Sequence, residues 1–202
     1  SKYGDIALLA EVHDAPSRTA AYFGDGDECQ LVYHFSLAEE LLLSLISGEN
    51  LRLKEMAAKS SSIPNGCRWL AFLRNHDEFS LATLSESDKE ELRNALDPKR
   101  KFGFGDSKGI SVRLATALKG DLLKIQSAFS LLFEISKKYP MRPVIYYGDE
   151  IGMQNIAIPS GEKDTRRALR GQFDWQEAER QMSDPSSLFS AVAKMTQAIK
   201  QI

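Results

Sequence analysis

The chain has 202 residues, 26 basic and 28 acidic side chains, a formal net charge of −2 and 43% hydrophobic residues. That length can bury a sizeable core in one domain, and the charge balance gives no electrostatic reason to expect nucleic acid or an anionic membrane as partner. No apolar run reaches the roughly 18 residues a membrane span needs, and residues 1–5 lack the apolar core of a signal peptide.

In chain order, Ile6–Ala7–Leu8–Leu9–Ala10 is an apolar run of strand length that ends in Glu11. A strand starting so near residue 1 is what a piece excised from a longer chain would show. Residues 13–17 read as a turn and residues 18–22 as a short helix. Residues 23–28 form an acidic loop. Cys29 and Gln30 stand where a calcium loop needs an oxygen ligand and Gly, so a solvated loop without metal is expected. Cys29 and Cys67 lack CxxC spacing; two reduced thiols in a cytoplasmic protein are expected, with a single disulfide as the alternative. Residues 31–35 read as the second strand. Ser36–Leu37–Ala38–Glu39 reads as a capping box that opens a helix through about Ser47, with Gly48 as its stop. Residues 60–66 are an ordinary connection.

Trp69–Leu70–Ala71–Phe72–Leu73 is the third apolar run. It switches at once to Arg74–Asn75–His76–Asp77–Glu78, the pattern of a buried strand with a reactive tip. In the excursion that follows, Ser85 caps a polar helix ending before Asp97–Pro98. Phe102–Gly103–Phe104–Gly105 lacks the Gly-Lys-Ser/Thr ending of a phosphate loop and reads as loop. Asp121 caps a helix with Leu122, Ile125, Phe129, Leu132 and Phe133 on one face, Lys137–Lys138 at its C-terminal end and Pro140 as its stop. Residues 143–147 read as the fourth strand, ending in Gly148–Asp149–Glu150. Residues 156–171 read as a long charged loop. Asp184–Pro185 opens a last helix with Leu188, Val192, Met195 and Ile199 on one face.

Alternating strands and one-faced helices predict parallel α/β architecture. Acids close several strands at the same end, which is where a (β/α)8 TIM-type barrel places its catalytic groups. Four βα units are half of such a barrel; periodicity alone fits an open four-stranded doubly wound sheet equally well.

Phe72–Leu73–Arg74–Asn75–His76–Asp77 resembles the Asn-His-Asp signature of the α-amylase family of glycoside hydrolases, glycoside hydrolase family 13. Leu8–Leu9–Ala10–Glu11–Val12 resembles the family's strand carrying the general acid. Pro143–Val144–Ile145–Tyr146–Tyr147–Gly148–Asp149–Glu150–Ile151–Gly152–Met153 resembles its last barrel strand and the loop after it. Tyr22–Phe23–Gly24–Asp25–Gly26–Asp27–Glu28–Cys29, with Tyr33–His34–Phe35, is similar to the trehalose synthase branch. The likeness covers nearly the whole chain. It implies that residues 1–202 are a single segment, the C-terminal half of a catalytic (β/α)8 barrel with strands five to eight, while the N-terminal half and a C-terminal β domain lie outside it. It implies a parent enzyme that hydrolyses or transfers α-glucosyl groups with retention. Isomerisation of maltose to trehalose is the first expectation, and sucrose hydrolysis or glucosyl transfer the second. The implied partners are a small α-glucoside (maltose, trehalose or sucrose) and the N-terminal half of the barrel or a second copy. No cofactor, nucleic acid or membrane is implied. A non-catalytic half-barrel that binds sugar or a partner chain is the alternative of another class.

Cleaving a glycosidic bond needs an acid on the leaving oxygen and, with retention, a carboxylate nucleophile roughly 5–5.5 Å away. The resemblance assigns the acid to Glu11, whose place at the end of an apolar strand suggests burial and a retained proton. It assigns Asp77 to the sugar hydroxyls and the oxocarbenium-like ring, and His76 to a hydrogen bond with a sugar hydroxyl. The family's nucleophile, in an Arg-x-Asp pattern on the preceding strand, has no counterpart, so the chain carries two of three catalytic carboxylates. Met141 stands where the family often has Gly. Arg170–Gly171–Gln172–Phe173–Asp174–Trp175 keeps only the two ends of the Arg-Thr-Pro-Met-Gln-Trp of trehalose synthases, and Asp164–Thr165–Arg166 looks more like the sucrose-acting amylosucrase branch. Phe173 and Trp175 are candidates to stack on sugar, with packing under the loop expected of at least one.

Overall fold

The computed structural model describes residues 6–106, 108–158 and 160–200. The chain runs through β1 (Leu9–Ala10), α1 (Pro16–Thr19) with a 3-10 turn over Ala20–Phe23, β2 (Leu31–Tyr33), α2 (Phe35–Ser47), α3 (Leu51–Lys59) and β3 (Arg68–Phe72). It continues through β4 (Phe79–Ser80), α4 (Glu86–Leu96), β5 (Gly103–Phe104), β6 (Gly109–Ile110), α5 (Leu114–Ala117) and α6 (Leu122–Lys138). It ends with β7 (Met141–Val144), 3-10 turns over Asp149–Ile151 and Thr165–Leu169, α7 (Trp175–Met182) and α8 (Leu188–Lys200).

Strands β1, β2, β3 and β7 form one parallel sheet in that order, with Leu31 opposite both Leu9 and Arg68, and Trp69 opposite Met141. Parallel neighbours joined through helices are the repeat of a (β/α) barrel, and the expected four units are present. Side chains alternate between two faces. Val32, Trp69, Ala71 and Met141 join the helical core of Leu41, Phe129 and Leu132, while Phe72 turns to the other face with Phe35, Tyr33 and Val144. No helix among the described residues is long and apolar enough to cross a membrane.

Several elements depart from the sequence reading. Among the described residues the first strand is two residues long and pairs on one side only, although Leu8 O still accepts from Leu31 N at 3.1 Å. The second strand stops at Tyr33 because His34 caps α2: its Nδ1 accepts from Leu37 N at 3.1 Å, and its Nε2 lies 2.6 Å from Ser60 Oγ. Burial drives the His34 imidazole down to about 4. Ser36–Glu39 is therefore no capping box; both side chains are buried and bonded elsewhere. Gly48 does close α2, in the left-handed conformation at φ 77. Residues 103 and 104 are a strand rather than loop, in an antiparallel sheet ordered β4-β6-β5. Two-residue strands containing Gly carry no alternating run to betray them. Helices α3 and α7 escape notice because each buries only two residues, too few to show a period. In α6, Leu122 leaves the expected face and is 56% exposed, while Ile125, Phe129, Leu132 and Phe133 are buried. Strand β7 starts two residues early and ends three early: Pro143 pairs with Ala71, and Tyr146 already belongs to a turn in which its carbonyl accepts from Asp149 N at 3.1 Å. Cys29 and Cys67 are free thiols, the Cys67 Sγ donating to Cys29 O at 3.7 Å.

Candidate active site

The ends of β1 and β3 bring the three expected residues together. Glu11 follows β1 directly. After β3, Asn75 Oδ1 accepts from Asp77 N at 2.8 Å and Glu78 N at 2.9 Å, a side-chain-closed turn that sets the direction of His76 and Asp77. Ser111 Oγ donates to Asp77 O at 2.7 Å and pins the same turn from β6's side. The His76 ring stands between two carboxylates, its Nε2 lying 3.9 Å from Glu11 Oε1 and 3.8 Å from Asp77 Oδ2. The apolar burial expected of Glu11 is not found, since its side chain is 44% exposed. β1 is an edge strand, so only its β2 side is covered among the described residues. Tyr33, at the end of β2, has its phenol raised by burial and by the charge of Glu11.

Asp77 is engaged from the far side by the loop after β7. Arg170 donates from Nη2 to Asp77 Oδ1 and from Nε to His76 O, the latter at 3.2 Å. Arg166 Nη1 lies 3.6 Å from Asp77 Oδ2, while its Nε and Nη2 donate to Asp164 at 2.8 and 2.9 Å and its guanidinium covers the Phe104 ring at 4.9 Å. Arg170, a retained end of the trehalose synthase-like motif, and Arg166, from the stretch that looks more like the amylosucrase branch, thus converge on Asp77. Trp175 is 71% exposed and meets Phe173 edge-on at 4.7 Å, so Phe173, half-buried, takes the packing role.

Three further acids were not assigned site roles from sequence. Glu78 is half-buried, and its carboxyl is pushed up to about 7, first by burial and then by the Asp77 and Glu39 charges, against the pull of His13 and Arg166. Asp149 is enclosed by Arg74 Nη1 and Arg113 Nη1, each at 3.3 Å, with the Tyr146 ring against both guanidinium groups at 4.6 and 4.9 Å. Burial raises its carboxyl while the two arginines oppose the rise. This buried cluster ties β3 to the loop after β7. Glu39 accepts from Ser80 Oγ at 2.7 Å and Thr83 N at 3.2 Å through Oε1, and from Thr83 Oγ1 through Oε2. His13 Nε2 lies 3.3 Å from the same Oε1. Burial would raise Glu39, but the bonds from His13, Thr83 and Ser80 outweigh it and hold the carboxyl below its ordinary value. None of these contacts has a local sequence pattern. Among the described residues no group of three or more His, Cys, Asp or Glu is placed to hold a metal.

No family model matches the chain. Trehalose synthase/amylase of Mycolicibacterium smegmatis is 36% identical over 172 residues, which cover 82% of this chain and 28% of that protein. The chain spans 14% to 29% of the length of the curated relatives it matches. Sucrose 6F-phosphate phosphorylase from Thermoanaerobacter thermosaccharolyticum shares the fold with a TM-score of 0.72 at 19% identity, over 97% of this chain and 40% of that one. The α-amylase from H. orenii does so with a TM-score of 0.61 at 18% identity, over 99% and 37%. Sequence and fold together make this chain a trehalose synthase-like segment of the α-amylase family, built as part of a (β/α)8 barrel.

Proposed function

We propose that the chain is the C-terminal half of the catalytic barrel of a retaining α-glucosidase or α-glucosyltransferase that works in the cytoplasm. The observation that carries this reading is the convergence of Glu11 and Asp77 on His76 Nε2, at 3.9 and 3.8 Å, from strands separated by β2. In this reading Glu11 protonates the leaving glycosidic oxygen. Asp77 faces the positive charge that develops on the sugar ring, and His76 donates to a sugar hydroxyl. The nucleophilic carboxylate comes from chain outside these residues. Maltose, isomerised to trehalose, is the first substrate, on the strength of the trehalose synthase relatives. Sucrose is the second, favoured by the approach of Arg166 to Asp77 at 3.6 Å.

Two measurements test this. In the complete enzyme, Glu11→Gln removes most turnover on maltose or sucrose because an amide has no proton to give, and Asp77→Asn also loses turnover. Near-wild-type kinetics for Glu11→Gln would show that the acid is another residue. The 202 residues alone release no glucose from maltose, trehalose or sucrose. They self-associate by light scattering, or regain activity on mixing with a separately made N-terminal half. A monomer that hydrolyses any of the three sugars sinks the half-barrel assignment.

A further inference from the structure

We propose that Glu39 is a positioning residue for this site, its carboxylate locking the loop that carries Glu11 to the loop that carries Asp77. The inference rests on the roles proposed above for those two acids. β1 and β3 are not neighbours in the sheet, so no backbone ladder joins their ends directly. Beyond the strands, Glu39 from α2 bridges the two loops, beside the direct contact of His13 Nε2 with Ser80 Oγ at 3.0 Å. His13 lies two residues past Glu11, and Ser80 and Thr83 lie three and six residues past Asp77; all three meet this one carboxylate.

The proton inventory makes the link directional. An ionised carboxylate only accepts, so both oxygens of Glu39 serve donors at once. Ser80 spends its single proton on Glu39 Oε1 at 2.7 Å, so at its 3.0 Å contact with His13 Nε2 the hydroxyl accepts and Nε2 carries the hydrogen. That hydrogen is shared with Glu39 Oε1 at 3.3 Å. The His13 ring is fixed a second time by stacking on Phe35 at 4.4 Å and 16°, and Phe35 packs edge-on against Phe72 of β3 at 5.2 Å. The Glu39 side chain is fully buried, and among the described residues the imidazole of His13 is its one ion-pair contact, an arrangement that is costly unless every lone pair finds a donor. Four donors converge here, and they come from both site loops.

The test uses the complete enzyme with Glu39→Gln and Ser80→Ala, following kcat and KM for maltose beside the His13 Nε2–H resonance in nitrogen-edited NMR. An amide keeps the shape of Glu39 but turns one acceptor into a donor against Thr83 or Ser80. The expected result is a kcat about 10- to 100-fold lower with KM little changed, because a misplacement of about 1 Å acts on the reacting geometry rather than on sugar binding. The His13 Nε2–H signal should shift or vanish in both variants. If Glu39→Gln does not fold, Ser80→Ala, which deletes only the hydroxyl between His13 and Glu39, carries the test. A lost His13 signal with kcat within about twofold of wild type overturns the proposal; so does an equal rise in KM and fall in kcat/KM at constant kcat, the mark of lost binding. Wild-type turnover in Glu11→Gln overturns the assignment of the acid instead, and the His13 signal then decides the lock: its persistence unshifted in Glu39→Gln overturns it.

Discussion

Replacing Glu78 by Gln should stabilise the fold at pH 8 and leave it unchanged at pH 4. Burial pushes the folded carboxyl up to about 7 from its ordinary 4.5, so the native state holds the proton more tightly than the unfolded chain. Native stability from this group is complete below pH 4.5 and is lost as pH rises through about 7. At about 1.36 kcal/mol per pK unit, a rise of this size is worth at most about 3.4 kcal/mol. Water reaches part of the side chain, and screening reduces the figure to on the order of 1–2 kcal/mol. No hydrogen bond to the Glu78 carboxyl is found among the described residues, so the amide breaks nothing in exchange. Urea unfolding followed by far-UV circular dichroism at pH 4, 6 and 8 measures the effect as a midpoint difference that opens with pH. A difference of equal size at all three pH values, or a less stable variant at pH 8, refutes the reasoning.

Asp149→Asn leaves Arg74 and Arg113 buried around a neutral amide and should cost roughly 3–5 kcal/mol, read as a lower urea midpoint; an unchanged midpoint would show that the tyrosine faces and the Val112 and Tyr147 carbonyls satisfy the two guanidinium groups. Phe129→Ala, at 1% exposure in α6, should cost about 3–5 kcal/mol, whereas Leu122→Ala on the same helix, 56% exposed, should stay within about 0.5 kcal/mol. Arg170→Ala removes the tie to Asp77 and His76 O, so amide exchange over residues 165–169 should speed up while β3 keeps its protection.

The parallel repeat was legible because buried parallel strands are continuous apolar runs, and three of the four here are bounded by polar residues that stop them. The placement of Glu11, His76 and Asp77 at strand ends was legible for the same reason: each lies just past such a run. Glu39 shows how a tertiary contact overrides a local pattern. Its local neighbourhood satisfies a capping pattern, yet its bonds go to residues 13, 80 and 83, and the cap is His34 instead. Arg170 reaches back 94 residues to His76 O, a contact that only the closed chain creates. The exposure of Glu11 was misjudged because an apolar run does not say whether its strand will be covered on one side or two. The β4-β6-β5 sheet gave no signal, since Gly103 and Gly109 contribute backbone pairing without any side-chain pattern.

The strand order β1-β2-β3-β7 repeats the order in which the ribosome makes the strands. Within these four strands each unit therefore meets an edge already made as it emerges. The one long wait falls between β3 and β7, across the antiparallel ribbon and α4 to α6. During that interval β3 presents bare N–H and C=O groups along its open side, a template for unwanted pairing. Arg74 is already made but its carboxylate, Asp149, is not. Synthesis arrested after α6 would thus release a chain with an open edge and, at the same place, a guanidinium bonded to Val112 O but without its carboxylate; the arrival of β7 with the loop behind it closes both hazards in one step.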